Sequence, residues 1–151
     1  FILGDPPSEG KESIVTRTSR AVAYSHLEIM QNHLDTEGSD EPFLLLEDDA
    51  LIMDSLRLTK ILKSPPKGCT SLGSNKSKYF AFDNTHAMLF SGITQDRIDA
   101  YKSRIDYHYS TEPCYTDAYG DSLTIITPPI VGIDIKFPSL RTRGKQLKIK
   151  S

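Results

Sequence analysis

The chain has 151 residues, the size of a single domain that can bury a core of its own. Its composition, with 38% hydrophobic and 25% charged residues, is ordinary for a globular protein, and a net charge of −2 does not favour nucleic-acid binding. Two cysteines do not make a disulfide framework and no apolar run is long enough to span a membrane, so we expect a cytoplasmic protein.

The first part of the chain predicts a strand, a helix and a second strand. Residues 1–4 are mostly apolar, and residues 43–46 are apolar at every position, which is typical of a strand covered on both faces. Between them apolar residues recur at helical spacing from residue 20, with Thr18 or Ser19 as the cap and Gly38 as the end. This order favours a right-handed βαβ unit and a mostly parallel sheet.

The rest of the chain predicts short helices and strands. Helices are expected at residues 54–63, 94–101 and 117–123, and strands at residues 70–73, 79–82, 86–90, 122–127 and 129–133. We expect an α/β fold in one small domain that covers residues 1–139. Residues 140–151 carry basic side chains and no acidic ones, so we expect a solvated tail, with peripheral contact to an anionic surface as the alternative.

Three adjacent carboxylates, Glu47, Asp48 and Asp49, directly follow the apolar strand at residues 43–46. In open α/β sheets, ligands bind at the edge where such strands end. Like charges repel there, and a divalent cation removes the repulsion because Mg²⁺ and Mn²⁺ prefer carboxylate oxygens. Side chains alternate along a strand, so we expect Glu47 and Asp49 to face the metal and Asp48 to face the other way. An acidic turn that caps the next segment is the alternative.

Two segments resemble family 25 glycosyltransferases, the lipooligosaccharide and collagen-galactose type. Residues 23–30 read AYSHLEIM and residues 43–52 read FLLLEDDALI. The family shows a Ser-His-Leu helix ahead of an apolar strand that ends in Glu-Asp-Asp. Residues 85–101, THAMLFSGITQDRIDAY, resemble a later strand and helix of the family. The resemblance extends over residues 20–139, and the Ser-His-Leu and Glu-Asp-Asp segments are its specific parts.

This resemblance implies a GT-A fold, in which a Rossmann-like sheet carries helices on both faces, here in a compact variant. It also implies transfer of a sugar from a nucleotide-diphosphate donor to a glycan or other hydroxyl acceptor, with Mn²⁺ or Mg²⁺ bound where Glu47, Asp48 and Asp49 take the position of that fold's Asp-x-Asp motif. We expect Glu47 and Asp49 as the metal ligands, and Asp48 is a further candidate for binding the donor or else pairs with backbone or a nearby base. Asp117 falls where the family carries an acceptor-side aspartate. We therefore expect Asp117, or Asp121 as second choice, to take the acceptor proton, and a plain surface aspartate is the alternative.

Four residues around the predicted helix are candidates for donor binding. Arg17 and Arg20 flank its predicted start, where positive charge and free amides could hold a pyrophosphate, although two solvated arginines explain them equally well. Ser25 and His26 either contact the substrate or fix the helix against a loop. Two other functions stay open: a catalytically inactive relative that binds a nucleotide or glycan, and an unrelated metal-dependent phosphohydrolase.

Overall fold

The computed structural model describes residues 14–74, 84–108 and 110–134, which fold as a small mixed α/β domain. The helices are α1 (Ile14–Glu37), α2 (Ser55–Lys63), α3 (Gln95–His108) and α4 (Thr111–Tyr119), with a short 3-10 helix at Gly120–Ser122. The strands are β1 (Phe43–Leu46), β2 (Ala50–Ile52), β3 (Gly68–Ser71), β4 (Ala87–Ser91), β5 (Leu123–Ile125) and β6 (Val131–Ile133). The strands predicted at residues 1–4 and 79–82 and the basic tail at 140–151 lie outside the described residues.

Four strands form a mixed sheet in the order β1-β4-β3-β5, and β2 pairs with β6 separately. Among the described pairs, β3 with β5 is parallel and the other three are antiparallel. The described strands therefore do not form the mostly parallel sheet that the sequence predicts. That prediction rested on a βαβ unit whose first strand lies outside the described residues. Between the two strands of the parallel pair the chain passes through β4, α3, α4 and the 3-10 helix, which is long enough for the crossover that parallel strands require.

Helix α1 confirms one predicted boundary and corrects the other. It ends at Glu37, where Gly38 has a φ of 84° and donates its N–H to the carbonyl of Leu34 at 3.1 Å. It begins at Ile14, so Thr18 and Ser19 lie inside the helix and do not cap it. Residues 16–20 show no apolar periodicity. They are helical because the helix propagates toward its N-terminus from the amphipathic turns that follow them in sequence.

Side chains of β4 alternate between two cores, one on each face of the sheet. Met88 and Phe90 point into the larger core, with residues of α1, α3 and α4. Ala87 and Leu89 point into the smaller one, with Leu58 of α2 and with Ile130 and Val131 at β6. Helices therefore cover both faces of the sheet, as expected. In the described ranges no helix combines the length and apolar character needed to cross a membrane.

Strand register fixes which residues share an edge of the sheet. Leu46 at the end of β1 pairs with Ala87, and Ser71 at the end of β3 pairs with the next residue of β4. We call this level of the sheet the acidic edge, because the three carboxylates follow Leu46. At the opposite edge, Phe43 is level with Phe90, Cys69 and Leu123.

Candidate functional site

The acidic triplet, Glu47 with Asp48 and Asp49, forms the turn between β1 and β2. The N–H of Glu47 donates to the carbonyl of His86 at 2.9 Å, and the N–H of Ala50 donates to the carbonyl of Glu47 at 3.0 Å. Glu47 is partly buried, Asp48 is exposed and Asp49 is only 8% exposed. The prediction that β1 ends at these carboxylates is confirmed, and the turn holds them at the acidic edge.

His26 of α1 joins the triplet to the helices on the larger core. Its Nε2 lies 3.0 Å from Oε2 of Glu47, and its Nδ1 lies 2.8 Å from the hydroxyl oxygen of Tyr115. Because a carboxylate only accepts, the neutral imidazole carries its proton on Nε2 and the Tyr115 hydroxyl donates to Nδ1. Burial raises the pKa of Tyr115, so this hydroxyl keeps its proton.

The burial of His26 decides between its two predicted roles. The side chain is 2% exposed and both ring nitrogens are hydrogen-bonded, so it has no surface left for a substrate. Its bond to Glu47 fixes α1 against the turn that carries the triplet. His26 is therefore a positioning residue for Glu47.

Asp49 is a buried carboxylate whose Oδ1 has no hydrogen-bond partner among the described residues. Loss of hydration raises the pKa of this carboxyl and the negative charge of Glu47 raises it further, while its own backbone amide and His86 lower it. A buried acceptor without a partner costs about 1–3 kcal/mol. A divalent cation would satisfy the oxygen and offset the repulsion, so the donor set fits Mn²⁺ or Mg²⁺.

Protein ligands at this edge are few. In residues 14–74, 84–108 and 110–134, no three His, Cys, Asp or Glu side chains converge as in an all-protein metal cage. Mg²⁺ typically takes one or two carboxylates and completes its shell with water and substrate phosphate. A site of that kind would need only one or two carboxylates from the triplet.

Asp49→Asn is expected to stabilise the metal-free protein. The amide removes the repulsion from Glu47 and the desolvation of an ion, while the shape of the side chain is kept. We expect a gain of about 1 kcal/mol, or ~2–4 °C in Tm for a chain of this size, in chelator-containing buffer. Differential scanning fluorimetry measures it, and Asp40→Asn, an exposed aspartate on the loop before β1, is the matched control. A lower Tm for Asp49→Asn would show that the ionised carboxylate has a stabilising partner.

The arginines predicted to bind the donor lie beyond the acidic edge. Helix α1 runs antiparallel to β1, since His33 near its end stacks on Phe43 at a ring distance of 4.0 Å and His26 meets Glu47. Arg17 and Arg20 precede His26 in α1, so they lie beyond it in the direction in which β1 runs toward the triplet. Arg17 is exposed at the fourth residue of the helix.

Two of the predicted donor-binding residues have protein partners. The Nε of Arg20 lies 3.5 Å from Oδ1 of Asp106 on α3, so its charge is balanced there. The hydroxyl of exposed Ser25 donates to the carbonyl of Ala21 at 2.9 Å, within its own helix. The free amides expected beside Arg20 are absent, because the helix begins six residues earlier, at Ile14.

Of the two aspartates predicted as the base, Asp117 contacts side chains of α3 and Asp121 lies at the surface. Oδ2 of Asp117 lies 2.7 Å from Nε2 of His108 and 3.3 Å from Nε of Arg104. Asp117 follows Tyr115 by two residues, about 200° round the helix, so it leaves α4 away from the side that meets His26. Asp121 is exposed just ahead of β5, whose first residue is level with the opposite edge of the sheet.

Asp117→Asn is therefore expected to change activity little. An exposed ion pair contributes about 0–1 kcal/mol, so the Tm should fall by at most a few degrees. Turnover should change less than about threefold, whereas loss of a general base typically costs 10²–10⁴-fold. A loss of about 10²–10⁴-fold in a variant that circular dichroism shows to be folded would identify Asp117 as the base.

The sequence analysis did not assign the residues that connect α4 to the acidic edge. Oγ1 of Thr85, next to His86, lies 2.7 Å from Oγ1 of Thr111 at the start of α4. Oε2 of Glu112 accepts from the hydroxyls of Ser110 and Thr111. The signal that could have found this helix start is a serine ahead of Thr-Glu-Pro, since serine caps helices and proline is tolerated in the first turn.

Comparison of the chain with protein-family models, with curated proteins and with solved structures returns no match. The resemblance to family 25 glycosyltransferases therefore rests on the two segments that carry Ser25-His26-Leu27 and the triplet. The geometry that these segments form is the basis for a functional assignment.

Proposed function

We propose that the chain is a metal-dependent glycosyltransferase of the family 25 type with a compact GT-A fold. The observation that carries this proposal is the 3.0 Å contact between Nε2 of His26 and Oε2 of Glu47. It joins the two segments on which the resemblance rests, which are separated by 21 positions in the chain. Consecutive elements often pack together, so the contact supports the resemblance only because it joins His26 and Glu47, a residue from each of its two specific segments.

The proposed reaction moves a sugar from a nucleotide diphosphate to a hydroxyl group of a glycan or similar acceptor. Glu47 and Asp49 supply the carboxylate charge that holds Mn²⁺ or Mg²⁺, and exposed Asp48 faces the nucleotide. A bound cation of this kind acts as a Lewis acid that stabilises the leaving diphosphate. His26 and Tyr115 hold Glu47 in one orientation, which keeps the site organised before the donor arrives.

A nucleotide-sugar screen tests the proposal most broadly. Bound donor stabilises the protein by about 2.7 kcal/mol at a hundredfold excess over its Kd, so thermal shifts with and without Mn²⁺ should reveal it. Nucleoside diphosphate release that needs both donor and Mn²⁺ would support the transferase. Binding without turnover would point to an inactive relative, and phosphate release from a simple phosphoester would point to a phosphohydrolase. No stabilisation by any nucleotide sugar would contradict the proposal.

His26→Ala is expected to weaken Mn²⁺ binding by about 10–100-fold, the usual effect of losing a partner that orients a metal-site residue. His26→Gln keeps an N–H donor near the position of Nε2 and should recover most of the affinity. Tyr115→Phe removes only the hydroxyl that is hydrogen-bonded to Nδ1 of His26 and should have a smaller effect. Calorimetric titration measures the affinities, and circular dichroism checks the fold. Equal affinities for His26→Ala and His26→Gln would show that the bond to Glu47 does not matter.

A further inference from the structure

A second buried side chain at the acidic edge, His86, also has an unused polar atom. His86 is 4% exposed, and its Nδ1 has no hydrogen-bond partner among the described residues. Its backbone carbonyl accepts from the N–H of Glu47, which places it beside the triplet. Asp49 and His86 thus each bury an unsatisfied atom at the same edge.

The other ring nitrogen of His86 fixes which atom is available. Its Nε2 lies 3.0 Å from the carbonyl oxygen of Val131, and a carbonyl only accepts, so Nε2 carries the proton. In the neutral ring Nδ1 then presents a lone pair. Metal-bound histidines use this arrangement, in which one nitrogen donates to a backbone carbonyl and the other binds the metal.

The ring of His86 is held in place by a glycine. A Cβ built on Gly73 would lie 2.2 Å from Nε2 and 2.5 Å from Cε1 of His86, so no other residue leaves room for the imidazole. The backbone of Gly73 and the carbonyl of Val131 together fix the direction of the Nδ1 lone pair. A ligand atom held this rigidly needs little reorganisation on binding.

Two acceptors cannot satisfy each other. The neutral imidazole offers a lone pair at Nδ1, and the ionised carboxylate of Asp49 offers only lone pairs. A water molecule could donate to both, but it would leave the repulsion from Glu47 in place. A bound metal cation would satisfy both atoms and offset that repulsion; a proton on Nδ1 would do the same without a metal, and the nitrogen coupling described below separates the two cases.

We propose that Nδ1 of His86 is a nitrogen ligand of the cation bound by Asp49, an inference that rests on the cation site of the proposed function. Asp49 and His86 then provide two direct protein ligands, and Glu47 remains in the position where His26 holds it. Water and donor phosphate complete the shell. Imidazole suits first-row transition metals better than Mg²⁺, so the site should select Mn²⁺ over Mg²⁺.

Pulsed electron paramagnetic resonance of the Mn²⁺-loaded protein tests the nitrogen ligand directly. The wild type should show coupling to ¹⁴N of a bound imidazole, and His86→Gln should lose it. Gly73→Ala, which keeps His86 but fills the space of its ring, should lose it too. His33→Gln, at the opposite edge, is the matched control and should retain it. Mn²⁺ affinity of His86→Gln should fall by at least about 10–100-fold, with a smaller change for Mg²⁺.

The outcomes separate this inference from the proposed function. Mn²⁺ binding without nitrogen coupling, or coupling that persists in His86→Gln, would overturn the histidine ligand and leave the cation site standing. Absence of Mn²⁺ binding would overturn both. If the variants do not fold, ¹⁵N-histidine labelling of the wild type still shows whether any histidine nitrogen is bound, and a coupling that does not change on labelling would overturn the histidine ligand. Both nitrogens of His26 are already hydrogen-bonded, so His26 does not compete for that signal.

Discussion

Asp49→Ala should reduce metal-dependent release of nucleoside diphosphate by about 10²–10³-fold, the size of effect typical of removing a group that stabilises developing charge. Asp49 is the buried carboxylate of the triplet, and its Oδ1 has no partner among the described residues. Without it, the remaining triplet carboxylates are partly or fully exposed and hold a cation less tightly. Release is measured at saturating Mn²⁺ with the donor found in the screen.

Asp40→Ala makes the same chemical change at an exposed position outside the acidic edge and is the matched control. Its activity should stay within about twofold of wild type, as for surface substitutions away from any site. Because Asp49 is not expected to stabilise the metal-free fold, Asp49→Ala should lose activity without a matching fall in Tm. Full turnover by folded Asp49→Ala would remove the triplet from the reaction.

Phe90→Ala should destabilise the fold by about 3–5 kcal/mol, the usual range for removing a fully buried aromatic ring. Phe90 of β4 is 1% exposed, stacks on Phe43 at 4.6 Å and packs against Tyr115 at 5.9 Å between ring centroids. Domains of this size are stable by only about 5–15 kcal/mol, so this loss removes a large share of the total. Urea denaturation followed by circular dichroism measures it.

Leu56→Ala is the control for Phe90→Ala, because Leu56 on α2 is 83% exposed and should contribute less than about 0.5 kcal/mol. The loosened core should also weaken Mn²⁺ binding by Phe90→Ala, since Tyr115 supports His26 from that core. A loss below about 1 kcal/mol for Phe90→Ala would mean that the larger core is not packed as described.

Elements with a one-sided pattern could be predicted from the sequence. Strand β1 matches residues 43–46, and α2 follows the predicted 54–63, with the side chain of Asp54 accepting from the N–H of Arg57 at 3.1 Å. Helix α3 begins as expected after Thr94 but runs on to His108. Local propensity and capping decide these segments, so sequence patterns indicate them well.

Helix α4 was misplaced because it lacks such a pattern. The sequence predicted a helix at residues 117–123, whereas α4 spans Thr111–Tyr119. Tyr115 and Tyr119 are buried together with Pro113 and Cys114, so the polar stripe is narrow and consists of Glu112, Thr116 and Asp117. The direction of the strands was likewise beyond local patterns, because pairing depends on residues distant in sequence.

The candidate site divides in the same way. The triplet could be predicted because three carboxylates after an apolar strand form a local pattern. The partners of His26 could not, because Tyr115 lies 89 positions away and meets it only through packing of α4 against α1. A matching segment gives the type of residue at Asp117 but not the direction of its side chain, which α3 and α4 set through Arg104 and His108.

Anomalous diffraction from crystals grown with Mn²⁺ and a nucleoside diphosphate would test the central claim most directly. We expect one strong Mn²⁺ peak about 2.0–2.3 Å from a carboxylate oxygen of Asp49, with the diphosphate on its open side. A diphosphate bound elsewhere, or an Asp49 side chain that turns inward onto a basic partner and leaves the acidic edge without metal, would contradict the account.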